Sequence, residues 1–374
     1  MTDSFTIRSI EAFCYRYPLA MPVVTSFGKM LNRPAVFVRA VDEDGVEGWG
    51  EAWCNFPAPG AEHRARLINE VLAPALIGRK FDGPTQAFET LTKAIEVLVI
   101  QCGEPGPFAQ AISGIDLALW DLCARRRRLP LWRLLGGQSG KIKVYASGIN
   151  PAGAAQTAEA ALERGHCALK LKVGFGAETD IANLAALRGI LGAGMLAADA
   201  NQGWSVRQAI EMLPRLAQFD LRWLEEPIRA DRPRAEWRRL HAATKMPIAA
   251  GENISSVEGF KEVLADDVLG VVQPDIAKWG GLSVCSSLAR DILKAGKTFC
   301  PHYLGGGLGL LASAHLLAGI GGHGWLEVDV NDNPLRDLCC GPVLDVREGA
   351  VELDQEPGLG IAPELSRIER YRSI

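Results

Sequence analysis

The chain has 374 residues, 48% of them hydrophobic and 22% charged, with a formal net charge of −4. This balance excludes a disordered chain and gives no general attraction to nucleic acid. The apolar runs fall short of the ~20 residues of a membrane span, and the polar start MTDSFTIRS lacks the apolar core of a signal peptide, so a cytoplasmic protein of two domains is expected.

Residues 5–18 and 35–49 are rich in β-forming side chains, and the second run breaks at Asp44-Gly45 like a hairpin turn. Helical spacing follows over 61–77, 84–99 and 107–126. The last of these runs into Arg125–Arg128, cations that suit a helix C-terminus, and then into LPLWRLLGG, whose glycines supply a stop. Residues 1–135 therefore read as an α+β domain. From about 141 short apolar runs alternate with amphipathic stretches such as 154–165 and 205–219. Eight candidate strands emerge, at 143–147, 167–173, 195–201, 221–227, 246–253, 269–277, 297–302 and 324–330. A closed parallel barrel over 141–330 accommodates them without an unpaired edge, which gives an α/β fold of the TIM-like (β/α)7β kind. The tail, 331–374, is read as loops and short strands that return to the first domain, completing it as a capping domain. The nine cysteines are scattered without Cys-x-x-Cys and are expected to be small buried hydrophobes in a reducing compartment; the Cys339-Cys340 pair has no assigned role.

Barrel strands are packed with apolar side chains, so charges near their ends are the anomaly to explain. The series Lys172, Asp199, Glu225, Glu252, Asp275, His302 and Glu327 recurs at intervals of 27, 26, 27, 23, 27 and 25 residues. Equivalent positions on successive strands point to one site at the C-terminal rim. Glu226 is ambiguous, because alternation turns only one of two neighbouring residues inward. Three clustered carboxylates, Asp199, Glu225 and Glu252, must be neutralised by protons or by a cation, and an all-oxygen set suits Mg2+, with Mn2+ as the alternative ion. Lys170 and Lys172 share one strand face, where each amine is expected to lower the pKa of the other and free one as a base. Asp275 and His302 stand on the other side as a dyad in which the carboxylate sets the imidazole tautomer. With the metal stabilising an enediolate, such bases remove the proton α to a carboxylate, which Lys170 and a protonated Glu327 contact. Protonation at carbon gives an epimer, and loss of a β-hydroxyl gives dehydration. Asn201, two residues beyond Asp199, is either a substrate contact or a cap for the next helix. Gly305-Gly306-Gly307 after the seventh strand occupies the usual phosphate position of such barrels, and a glycine turn passing close to the site is preferred over a phosphate-binding loop.

The ordered set ISGIDLALWD, LLGG, LKLKVG, ADANQGW, WLEEP, GEN, QPDIAKWGG, PH and PGLGI resembles the mandelate racemase subgroup of the enolase superfamily over nearly the whole chain. The resemblance implies metal ligands Asp199, Glu225 and Glu252, bases Lys172 and His302, the dyad partner Asp275, and substrate-carboxylate contacts from Lys170 and Glu327. It further implies a symmetric homo-oligomer and capping loops near 20–28 and 51–58, where Thr25, Ser26, Phe27 and Trp53 are candidate contacts to a small sugar acid. Glu252 as third ligand and His302 after Asp275 favour this subgroup over the muconate lactonizing pattern, although Lys278 stands three residues beyond Asp275. Dehydration of a sugar acid to a 2-keto-3-deoxy acid is the expected activity, ahead of racemisation, epimerisation, cycloisomerisation or non-catalytic binding of a sugar acid.

Overall fold

The computed structural model describes residues 4–25 and 28–373, with backbone alone for Met21, Val24 and Thr25. The chain opens with β1 (Phe5–Thr25), β2 (Gly28–Asp42) and β3 (Glu47–Ala52), followed by α1 (Gly60–Arg66), β4 (Lys80–Phe81), α2 (Pro84–Cys102) and α3 (Pro105–Arg126). The strands form an antiparallel sheet of order β3-β2-β1-β4. Its β2–β3 turn is where Asp44-Gly45 places it, with Asp42 accepting from the backbone N–H of Val46 at 2.8 Å. Helix α3 is buried along most of its length because it lies between this sheet and the barrel. At its end Arg125 pairs with buried Asp121 at 2.9 Å, and Arg126 pairs with Asp42 and Asp44, so these cations do more than face solvent.

After the short α4 (Leu131–Leu134), strands and helices alternate: β5 (Lys141–Ile149), α5 (Ala154–Glu163), β6 (Ala168–Lys172), α6 (Ala177–Leu191), β7 (Met195–Asp199), α7 (Val206–Leu216), β8 (Leu224–Glu225), α8 (Arg234–Ala242) and β9 (Ile248–Ala250). They continue through α9 (Val257–Asp266), β10 (Val271–Val272), α10 (Gly281–Lys294), β11 (Thr298–Phe299), α11 (Gly307–Ile320) and β12 (Trp325–Asp329), then α12 (Pro334–Asp337) and β13 (Ala350–Glu352). The ladder runs β11-β10-β9-β8-β7-β6-β5-β12, parallel throughout, so the barrel is closed except between β11 and β12. At that seam the N–H of Trp325 meets Cys300 Sγ at 3.4 Å, and a Cβ on Gly324 would fall 1.8 Å from the Phe299 carbonyl oxygen. Only glycine fits so close an approach.

The interior is layered by the two-residue period of a strand. Tyr145, Ala168, Ala197, Trp223, Ala249, Val271 and Cys300 form a buried plug, with Trp223 edge-on to Tyr145 at 5.4 Å. Two residues further along the same strands come Ser147, Lys170, Asp199, Glu225, Gln273 and His302, a polar layer resting on an apolar floor. In the tail, β13 pairs antiparallel with β5 of the barrel. Further on, Gly358 exchanges hydrogen bonds with the Leu129–Leu131 segment, and the Ser373 N–H reaches the Cys14 carbonyl on β1 at 2.8 Å.

Candidate active site

Lys170 is buried at the centre of the polar layer. Its Nζ lies 2.8 Å from both Glu225 oxygens and 2.7 Å from Glu327 Oε1, with Asp199 at 3.8 Å. Lys172, one side-chain layer nearer the rim, donates to Asp199 Oδ2 at 2.6 Å. Glu225 also accepts from Gln273 at 2.7 Å and from the Trp223 indole at 3.2 Å. Four strands separate β6 from β11 in the ladder, so His302 faces the lysines across the barrel. Its Nδ1 is 2.8 Å from Asp275 Oδ2, while Asp275 Oδ1 takes the N–H groups of Ala277 and Lys278. Asp275 thus fixes the ring with Nε2 turned inward, 2.8 Å from Glu252 and 3.8 Å from Glu327.

These contacts correct two expectations about charge. Lys170 does lower Lys172, but this effect does not prevail. Burial pulls both amines down, but Glu225 and Glu327 outweigh it at Lys170, as Asp199 does at Lys172, and both end above the ordinary lysine range. Glu327 is not a protonated donor either: burial pushes it up, yet Lys170 and His302 overcome this and hold it down at about 2. It is an anion that accepts from Lys170 and from the Ser147 hydroxyl. His302 is raised well above the usual imidazole value, since Glu252 and Asp275 outweigh the effect of burial.

Asp199 and Glu225 face each other in the β7–β8 register, and Glu252 lies two residues past the end of β9. Among the described residues no three acidic, cysteine or histidine side chains converge as a ligand set; each of these carboxylates is neutralised by its own base at 2.6–2.8 Å. The donors themselves fit a hard divalent cation, being oxygens only, at the ends of two adjacent strands and just past a third, and in contact with cations that such an ion would replace. Glu226 turns away, its backbone at φ 36°, and accepts from Asn253 at 2.8 Å while its buried Oε2 has no partner among the described residues. Asn201 bends back onto Asp199, its N–H 2.7 Å from Oδ1 and its amide 3.3 Å from Oδ2. Ser205 caps the following helix instead. Lys278 donates to Asn253 at 2.9 Å, over the Trp53 ring.

Above this layer is a cavity of about 250 Å3 bordered by Lys172, Asn201, Glu252, His302, Glu327 and, from the first domain, Trp53. Ser26, Phe27 and the Thr25 side chain lie outside the described residues. Sequence reasoning missed Arg33 and Asp329, which also border the cavity and form a buried ion pair at 2.6 Å. The available signal was Asp329 itself, an acid on the same strand face as Glu327. The glycine-rich turn is also settled: its Gly306 and Gly309 N–H groups donate to the buried carboxylate of Glu51, at 2.6 and 2.9 Å. A carboxyl group from β3, pushed up by burial to about 7, occupies the donors that a phosphate would use.

Two family models match the chain, "Mandelate racemase / muconate lactonizing enzyme, N-terminal domain" over residues 7–136 and "Enolase C-terminal domain-like" over 153–367. The chain belongs to the mandelate racemase subgroup of the enolase superfamily. This superfamily member is 50% identical to a mandelate racemase/muconate lactonizing enzyme of Bordetella bronchiseptica RB50 whose crystal structure superposes with a TM-score of 0.93, covering 98% of this chain and 99% of that one. It is 29% identical to the D-galactarolactone cycloisomerase of Agrobacterium fabrum, over 98% of both chains. It is also 31% identical to the L-talarate/galactarate dehydratase of Salmonella typhimurium, over 92% of this chain and 85% of that one. A variant of an L-talarate/galactarate dehydratase, solved with Mg and L-glucarate, superposes with a TM-score of 0.84 at 26% identity, covering 99% and 92%. No helix among the described residues is long and apolar enough to cross a membrane.

Proposed function

We propose that the protein is a Mg2+-dependent enzyme that removes the proton α to the carboxylate of a sugar acid and, with loss of the β-hydroxyl, forms a 2-keto-3-deoxy acid. The observation that carries this is the Asp275–His302 dyad facing Lys172 across a buried group of carboxylates. Asp199, Glu225 and Glu252 would hold the ion, which when bound supplies Lewis-acid polarisation of the substrate carboxylate. Lys172 takes the α-proton once Asp199 is engaged elsewhere and no longer holds the amine as a cation. His302, carrying a proton between Asp275 and Glu252, gives it to the departing hydroxyl, which leaves as water, and the resulting enol loses its hydroxyl proton as C3 gains one, giving the 2-keto-3-deoxy acid. Lys170 stays cationic and orients Glu225 and Glu327. The dehydratase relative supports this outcome. Racemisation, epimerisation or cycloisomerisation, the last named for the Agrobacterium relative, would use the same opposed groups and is separated by product.

The test is a sugar-acid library in D2O with Mg2+, followed by NMR for keto-acid formation and α-proton exchange. Formation of a 2-keto-3-deoxy acid is the expected result. Exchange with inversion and no keto product would replace dehydration by racemisation, and a lack of exchange with every acid would leave a binding protein.

A further inference from the structure

We propose that this site selects sugar acids whose far end is uncharged, aldonates rather than aldarates, and that the Arg33–Asp329 pair makes the choice; this rests on the sugar-acid reading above. Asp329 follows Glu327 by two residues on β12, so it stands on the same face about 7 Å nearer the barrel mouth. There it meets whatever a substrate carries at the end remote from the reacting carboxylate. Arg33 reaches the same place from β2, and both residues border the cavity while being only 2% and 6% exposed.

The hydrogen-bond inventory of the pair is one-sided. Asp329 Oδ2 accepts from Arg33 Nη2 at 2.6 Å, and Oδ1 takes the N–H and side-chain amide of Asn331 at 3.1 and 2.6 Å. Arg33 keeps unused donors: Nη1 meets only Met30 Sδ at 3.5 Å, and the buried Nε has no partner among the described residues. Arg33, which borders the cavity, therefore has a donor at Nη1 that is held only by a weakly accepting sulfur. The arrangement is built around, since a Cβ on Gly148 would fall 2.1 Å from Asp329 Oδ1 and 2.4 Å from the Asn331 amide.

Charge then decides which oxygen. Arg336, 3.8 Å from Asp329, is itself paired with Asp337 at 2.6 Å, so the four groups sum to zero. Of the other cavity cations, Lys172 stands 2.6 Å from Asp199, while His302 and Lys278 share Glu252, at 2.8 and 3.8 Å. A second substrate carboxylate would arrive beside the Asp329 carboxylate, and like charges brought together in a desolvated site are strongly disfavoured. A hydroxyl accepts the guanidinium hydrogen without that penalty.

The experiment compares matched aldonates and aldarates of equal length and configuration with the Mg2+-loaded protein, by kcat/KM and, independently of turnover, by calorimetric Kd. The wild type should favour the aldonate by about tenfold or more, corresponding to about 1.4 kcal/mol. Asp329→Asn leaves the guanidinium charge unbalanced and should move the ratio toward the aldarate by a similar factor. Arg33→Met should raise KM for aldonates more than it lowers kcat. Wild-type preference for the aldarate, or an Asp329→Asn ratio equal to that of the wild type, overturns the proposal. If Asp329→Asn does not fold, the wild-type ratio and Arg33→Met decide. Because Kd is read without chemistry, selectivity is measured even where no acid is turned over, an outcome that counts against the proposed reaction alone.

Discussion

Asp116, in the ISGID segment of α3, is the most direct place to test how the two halves of the molecule are coupled. Its carboxylate, buried against the start of α10, accepts from the Ser283 N–H at 3.0 Å and from the Ser283 hydroxyl at 2.5 Å, and the Trp120 indole donates to that same hydroxyl at 2.9 Å. Burial outweighs these hydrogen bonds and pushes the group up from 3.8 to about 7. Three pKa units correspond to roughly 4 kcal/mol, at about 1.4 kcal/mol per unit. The folded form holds the proton more tightly than the unfolded chain does. Its contribution is therefore complete below about pH 4 and is lost as pH rises to about 7, at up to about 1.4 kcal/mol per pH unit. Asp116→Asn cannot lose a proton, so its stability relative to wild type should climb by roughly 4 kcal/mol between pH 4 and pH 8. Urea unfolding followed by circular dichroism across that range measures it, with midpoints shifting at constant m. Parallel curves for the two proteins, offset by a constant, would refute the assignment of a protonated Asp116.

Two further outcomes follow from the site and from the barrel seam. Lys172→Ala and His302→Asn should each lower turnover by roughly 10²- to 10⁴-fold, yet bind Mg2+ at least as tightly as wild type in calorimetry, because each removes a cation now bound to Asp199 or Glu252. Weakened Mg2+ binding in either would place that base among the ligands. Gly324→Ala forces a methyl against the Phe299 carbonyl and should destabilise the protein by about 1–3 kcal/mol; an unchanged urea midpoint would show that the seam between β11 and β12 is not packed as described.

The wall of the site was legible because a charge inside a barrel strand is anomalous and because a strand plus a helix imposes a nearly constant interval. Lys170, Asp199, Glu225, His302 and Glu327 declare themselves this way, and the structure places all five in or beside one layer. Arg33 carries no such mark: on β2 it is one more arginine in a sheet facing solvent elsewhere, and its partner Asp329 is 296 residues away. Glu51, in GWGEAW, is hidden for the same reason, as its hydrogen-bond donors at Gly306 and Gly309 come from a distant turn. The charge states of Lys170 and Glu327 were also out of reach, because they depend on distances across the barrel and not on spacing along one strand.

Strand length was overestimated for a physical reason that bears on the chemistry. The segments 221–227 and 246–253 contribute only Leu224–Glu225 and Ile248–Ala250 to the ladder. Beyond these the backbone leaves the sheet, at φ 36° in Glu226 and 149° in Gly251. The three proposed ligands are consequently not equivalent. Asp199 and Glu225 are the last residues of their strands, locked in register with each other, and define a fixed edge. Glu252 sits past a glycine, outside any ladder, and meets His302 in place of the other two carboxylates. An ion held by Glu252 would compete with His302 for that carboxylate, so the proposed ion site and the proposed acid share one group.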